Sequence, residues 1–359
     1  MDRKIILEDG TVYEGFGFGS SRERFVELVF NTSMVGYQEI ISDRSYTDQA
    51  VVMTYPVIGN YGIAADDFES EAPMISGLVV REYCREPSNF RCMEDLEEVM
   101  KRYDIVGISG VDTRQITRHI RDIGSIKALI TDAERDTKEA LEALKETELP
   151  TDQVARASTK RPYRFGDTGP QKAKPVVVID CGIKLNILRE LDSRGIPTVV
   201  VPWDTDVTSI LTYDPAGVFI SNGPGNPEDC APTIETIRNL KGKFPIFGIC
   251  LGHQIISLAY GAKTYKLKFG HRGGNHPVKN LLTGKIEITS QNHSYAVVPE
   301  SLQGTGLSVT HLNLLDDTIE GVECEKDMLF SVQYHPESAP GPCDSQYLFD
   351  KFTALLRRE

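Results

Sequence analysis

Apolar and polar positions follow one rhythm up to about residue 150 and another beyond residue 175. In the first stretch the apolar runs are short and broken by Gly, Pro and Asn. Ile5-Ile6-Leu7, then Asp9-Gly10, then Thr11-Val12-Tyr13 predict a hairpin closed by an Asp-Gly turn. Leu28-Val29-Phe30 and residues 50–53 and 77–80 predict further strands. Residues 94–101 predict a helix with Leu96, Val99 and Met100 on one face, and residues 105–108 another strand. Asp112 or Thr113 can cap a helix running to Arg121. Acidic residues and alanines dominate 132–149, with Leu141, Leu144 and Leu149 as sparse apolar anchors, as in a surface helix. Residues 157–175 have no period and several glycines and prolines, and are expected to be a linker. Beyond Pro175, Val176-Val177-Val178-Ile179 is a continuous apolar run, the mark of a strand buried on both faces. A helix over 185–193 follows, closed by Gly195, and then apolar runs at 198–201, 217–220 and 245–249. Strands alternating with helices predict βαβ units. The expected fold is α/β: a mostly parallel sheet flanked by helices over 176–359, and a separate mixed α/β domain over 1–156.

Composition narrows the function classes. A chain of 359 residues accommodates two domains, and 40% hydrophobic with 25% charged residues is ordinary globular composition. The net charge of −13, with no Lys/Arg block interleaved with aromatics, argues against nucleic-acid binding. The seven cysteines are scattered and form no Cys-x-x-Cys pair, which argues against a disulfide framework or zinc site and for a reducing cytosol. No apolar run approaches ~18 residues, and acids come too early at the N-terminus for a signal peptide. A cytoplasmic protein without membrane contact is the expectation.

The strongest chemical signal is Gly248-Ile249-Cys250-Leu251-Gly252-His253-Gln254, between an apolar strand and an apolar helix. Gly-x-Cys-x-Gly is the nucleophile-elbow pattern with sulfur in place of serine oxygen. The helix N-terminus favours the thiolate there. A buried structural cysteine beside a glycine-rich turn is the bland alternative. A cysteine nucleophile needs a base, and the base an orienting group. His335-Pro336-Glu337 supplies both, because residues i and i+2 of an extended segment face the same side. An oxyanion hole needs two backbone donors: the N–H of Leu251 is one, and the Gly/Pro-rich loop at 221–227 can give the second. That loop is not a phosphate-binding P-loop. His271, His276 and His293 have no spacing that suits a metal helix or finger, so no metal is expected.

Together these motifs resemble the class I, triad-type glutamine amidotransferases over residues 175–359. Further stretches resemble the small subunit of carbamoyl phosphate synthetase: residues 7–11, 30–39, 54–60, 109–114 and 268–277. The resemblance implies Cys250 as nucleophile, His335 as general base and acid, and Glu337 as orienting carboxylate. It implies glutamine contacts from Ser45, Gly223, Gly225, Leu251, Gln254, Asn292, Ser294 and Tyr295. Two positions depart from the family pattern: Ser294 where glycine is commoner, and Arg44 where proline is common. The implied reaction is hydrolysis of L-glutamine to glutamate and ammonia. No cofactor is implied in this chain; ATP and a divalent metal would belong to a large synthetase subunit, docked through the N-terminal domain. Carbamoyl phosphate would then feed arginine and pyrimidine synthesis. Three alternatives stay open at this level: the glutaminase of another amidotransferase, a cysteine hydrolase of γ-glutamyl peptides, and a non-catalytic partner-binding module.

Overall fold

The computed structural model describes residues 1–166 and 173–357. The chain divides into two compact units, Met1–Pro150 with Lys268–Arg272, and Thr151–Leu267 with Gly273–Glu359.

The first unit is built on a closed seven-stranded barrel. The predicted hairpin forms, with Arg3–Leu7 paired antiparallel to Val12–Gly19 and Gly10 at φ 91 in the turn. Barrel closure depends on the strand Ile126–Asp132, which the sequence pattern did not reveal. It pairs with both Arg3–Leu7 and Arg24–Asn31. Alternate residues of the strands feed one interior cluster, including Ile5, Leu7, Val26, Leu28, Ala50, Val52, Val79, Ile108 and Ile130. Ile116 and Ile120 join it from the helix Thr113–Ile123, which Asp112 caps by accepting from Gln115 N at 2.9 Å. The surface helix is Thr137–Glu146, held by Ala140 and Leu144, while Leu149 lies beyond its end.

The second unit carries a ten-stranded sheet flanked by helices. Its core strands Thr198–Pro202, Val176–Asp180, Gly217–Ile220, Ile246–Ile249 and Leu329–Val332 are all parallel. Antiparallel strands extend it on both sides. Both faces are buried, as the continuous apolar runs predict: Val176 and Val178 pack in one cluster, Val177 and Ile179 in the other. The expected linker needs correcting. The helix Gln153–Ala157 and the strand Tyr163–Phe165 belong to the second unit, the latter as an edge strand on Thr198–Pro202. Asp180 Oδ2 accepts from Thr159 N at 2.8 Å and Ser158 Oγ from Trp203 N at 3.0 Å, so backbone pairing and caps order a stretch that has no hydrophobic period. Residues 167–172 of that stretch lie outside the described residues. No helix of the described residues is long and apolar enough to cross a membrane.

Candidate active site

Cys250 stands between the strand Ile246–Ile249 and the helix Leu251–Ala259, at φ 55 and ψ −105. That conformation lies outside the left-handed basin and costs a side-chain-bearing residue about 1–3 kcal/mol. The surroundings impose it. A Cβ on Gly248 would lie 2.5 Å from Ile256 Cδ1, and one on Gly252 2.3 Å from the Ile220 carbonyl oxygen. Only glycine fits on either side, which is the physical content of Gly-x-Cys-x-Gly. Cys250 N donates to Val332 O at 2.9 Å, tying the elbow to the neighbouring parallel strand.

That neighbouring strand leads into His335-Pro336-Glu337, so parallel pairing delivers the two halves of the site side by side. His335 and Glu337 are both buried, with His335 Nδ1 2.7 Å from Glu337 Oε1. An ionised carboxylate only accepts, so Nδ1 carries the hydrogen and donates. The opposite ring nitrogen, Nε2, is buried without a hydrogen-bond partner. Burial pulls the imidazole pKa down, but the Glu337 carboxylate and the adjacent Cys250 outweigh it and lift it to about 10. His335 and Cys250 therefore interact directly. Burial raises the Glu337 pKa, and Lys184 together with His335 reverses that, bringing it to about 2.

Sequence reasoning missed Lys184. Its Nζ sits 3.1 Å from Glu337 Oε1 with both side chains buried, and it also donates to the Ser338 carbonyl. Asn186 Nδ2 donates to the Glu337 carbonyl. Lys184 follows the strand Val176–Asp180, and loops at the carboxyl ends of parallel strands are where such folds bind ligands; that was the available signal. The loop is shaped by Asp180 Oδ1, which accepts from Gly182 N and Ile183 N at 2.8 and 2.9 Å. Asn222 Oδ1 accepts from Lys184 N at 3.0 Å, so the glycine-rich loop holds the lysine loop as well.

Gly223, Leu251, Gln254, Asn292 and Tyr295, among the expected glutamine contacts of this unit, are linked to the elbow or its helix. Leu251 is the first helical residue after Cys250, where a backbone N–H has no intrahelical partner. A Cβ on Gly223 would lie 2.9 Å from Leu251 Cδ2 and 2.2 Å from the Cys181 carbonyl oxygen, so the loop backbone reaches the elbow only because residue 223 is glycine. Gly225 has φ 86. Asn292, Ser294 and Tyr295 lie on the strand Ile286–Val297, which bridges to His335 through Ser290. The Cys250 thiol donates to the Asn292 carbonyl at 3.5 Å. Gln254 Nε2 donates to the Tyr295 carbonyl at 2.8 Å and to Gln333 Oε1 at 2.9 Å. Ser294 does not adopt a positive φ, so serine is unstrained there. Ser45 belongs to the first unit, buried on the short turn Arg44–Tyr46, where Asp43 Oδ1 accepts its N–H at 2.9 Å. Arg44 in place of proline leaves that turn intact, since its carbonyl accepts from both Thr47 N and Thr47 Oγ1.

Residues 177–355 match the family model for glutamine amidotransferase class-I, and residues 5–130 that for the carbamoyl-phosphate synthase small chain, CPSase domain. The chain is 52% identical to a carbamoyl phosphate synthase small chain of Fusobacterium nucleatum, over 98% of this chain and 97% of that one. It is 53% identical to one of Staphylococcus epidermidis, over 99% and 96%. It is also 53% identical to a carbamoyl phosphate synthase pyrimidine-specific small chain of Halalkalibacterium halodurans, over 99% and 97%.

Proposed function

Because this chain belongs to the carbamoyl-phosphate synthase small chain family and carries a class-I glutamine amidotransferase domain, we propose that it hydrolyses L-glutamine through Cys250, His335 and Glu337 and delivers the ammonia to a large partner chain. With its pKa lifted to about 10, His335 already holds the Cys250 proton on Nε2 near neutral pH, and the thiolate sulfur attacks the side-chain amide carbon, forming a C–S bond as the C=O π electrons move onto oxygen. The backbone N–H of Leu251 and a donor from Gly223 hold the oxyanion. His335 returns the proton to nitrogen, the C–N bond breaks, and ammonia leaves. Water, deprotonated by the same nitrogen, then cleaves the thioester to glutamate and free thiol. Glu337 fixes the ring tautomer, and Lys184 keeps that carboxylate ionised. Gly223, Gly225, Leu251, Gln254, Asn292, Ser294 and Tyr295 contact glutamine.

The supporting observation is the strained Cys250 beside a histidine whose Nδ1 is committed to a buried carboxylate. The N-terminal unit docks the large partner, on which ATP and a divalent metal act. Ammonia, bicarbonate and phosphoryl groups combine there into carbamoyl phosphate for arginine and pyrimidine synthesis in the cytoplasm. A steady-state glutaminase assay, with and without the co-purified large chain, bicarbonate and ATP, tests the reading. Coupling of about 1–3 kcal/mol would raise turnover roughly 5–150-fold. Absence of glutamine hydrolysis in every condition would refute the activity, and identical kcat and KM in all of them would refute the coupling.

A further inference from the structure

Glu320 lies on the strand Ile319–Cys324, between Ser308–Asn313 and Leu329–Val332, and is fully buried. Its Oε2 accepts from Gln291 Nε2 at 3.0 Å and its Oε1 from Asn313 Nδ2 at 3.0 Å. Oε1 also lies 4.0 Å from His293 Nε2. His293 Nδ1 is 2.8 Å from the Tyr295 carbonyl, which can only accept, so Nδ1 carries a hydrogen and Nε2 is the nitrogen turned to Glu320. The Glu320 carbonyl accepts from Gln333 N at 2.9 Å, and Gln333 in turn accepts from Gln254.

Side chains along a strand alternate between its faces. Gln291, which Glu320 holds, and His293, whose Nε2 faces it at 4.0 Å, therefore point away from the face of Asn292 and Ser294. The carboxylate holds the back of the segment whose front carries Asn292 and Ser294, two of the expected glutamine contacts. A buried carboxylate is costly to bring out of water, and apolar side chains of similar volume fill such a place at equal or lower cost. Packing alone does not call for a charge here, whereas two amides that must each find an acceptor, from two different strands, do.

We propose that Glu320 is a positioning residue for the glutamine subsite, setting Asn292–Tyr295 against the elbow by accepting from Gln291 and Asn313 at once. The inference rests on the glutaminase reading above. The test uses the complex with the large partner chain and follows glutamine-dependent and ammonium-dependent synthesis in parallel. Glu320→Gln keeps shape and volume but sets an amide donor against one of the two amide donors. The expected result is a KM for glutamine raised about tenfold or more, as for a buried hydrogen bond left unmade. The kcat should stay within about threefold, since the loss is one of uniform binding. Ammonium-dependent synthesis should be unchanged. Adding Asn313→Asp restores the match, amide 320 donating to carboxylate 313, and should return KM to within about threefold of wild type. Unchanged KM in Glu320→Gln, a raised KM that the double variant leaves raised, or equal loss of the ammonium-dependent activity would each overturn the proposal. If the wild-type complex makes product from ammonium but not from glutamine, it is the underlying reading that fails.

Discussion

In the barrel unit charged side chains pair at the rim, as Arg24 does with Asp104, Arg135 with Glu23 and Lys127 with Glu8, all partly open to water. Its buried cations reach backbone carbonyls nearby: Arg3 Nη1 donates to the Ser20 carbonyl at 2.9 Å, Lys4 Nζ to the Arg135 carbonyl at 2.6 Å, and Arg272 Nη1 to the Phe269 carbonyl at 2.8 Å. In the α/β unit Lys184, Glu337 and His335 form a chain of charge-bearing groups inside the protein, beside a nucleophile in a strained backbone conformation. Rim pairs contribute little, because water screens them and long side chains lose entropy. The buried chain is expensive to assemble and holds only while every member is present. A strained backbone and a chain of buried charge-bearing side chains thus meet where bond breaking is expected, whereas the barrel's buried cations rest on backbone carbonyls and its rim pairs reach solvent.

The sharpest break of this contrast comes at the nucleophile. Cys250→Ser is expected to lower glutamine-dependent turnover on the order of 10³-fold or more while synthesis from ammonium salts continues, because a hydroxyl offers this base almost no anion near neutral pH. His335→Asn should cost ~10²–10⁴-fold in the same assay, the range for lost proton transfer. Wild-type glutamine kinetics in either variant would show the assignment to be wrong.

Lys184→Met leaves Glu337 buried beside His335 but without the ammonium that also holds it ionised. Removing one partner of a buried pair costs about 3–5 kcal/mol, so the α/β unit should lose stability by that order. Urea unfolding followed by Trp203 fluorescence reads it directly, since the chain's one tryptophan lies in this unit. A shift under ~1 kcal/mol would place Lys184 with the rim pairs instead.

Acid should also single out the α/β unit. Burial lowers the His253 pKa to about 3, with His311 adding to it. Burial lowers His311 to about 4, with Lys351 adding to it. Both histidines are held neutral in the fold and take up a proton readily only when unfolded. Their contribution is therefore complete above pH 6.5 and is lost as pH falls toward 4 and 3. The expected loss is on the order of a few kcal/mol, read as a falling Trp203 midpoint between pH 6.5 and 4. A midpoint constant over that window would contradict it.

The smallest effect belongs to the barrel rim. Arg24→Ala is expected to change the stability of the first unit by no more than about 1 kcal/mol, measured by calorimetry, and less in high salt. A larger, salt-insensitive loss would mean that the rim is less open to water than its exposure indicates.

Some of this molecule was legible from neighbours along the chain. The Asp9-Gly10 hairpin, the Asp112 cap, the doubly buried run at 176–179, the glycine-flanked Cys250 and the His335/Glu337 spacing all obey rules that span only a few residues. Such rules are set by turn geometry, capping and the two-residue period of a strand, so they survive in the sequence. Other features left no local mark. Barrel closure through Ile126–Asp132, the adoption of residues 163–165 as an edge strand, Lys184 against Glu337, and Glu320 against Gln291 each join segments well separated in the chain. The sequence by itself determined which residues could do chemistry and which short elements would form. The tertiary structure alone decided which buried charge meets which, because a carboxylate or ammonium taken out of water must find its partner in whatever segment the packing of the sheet brings beside it.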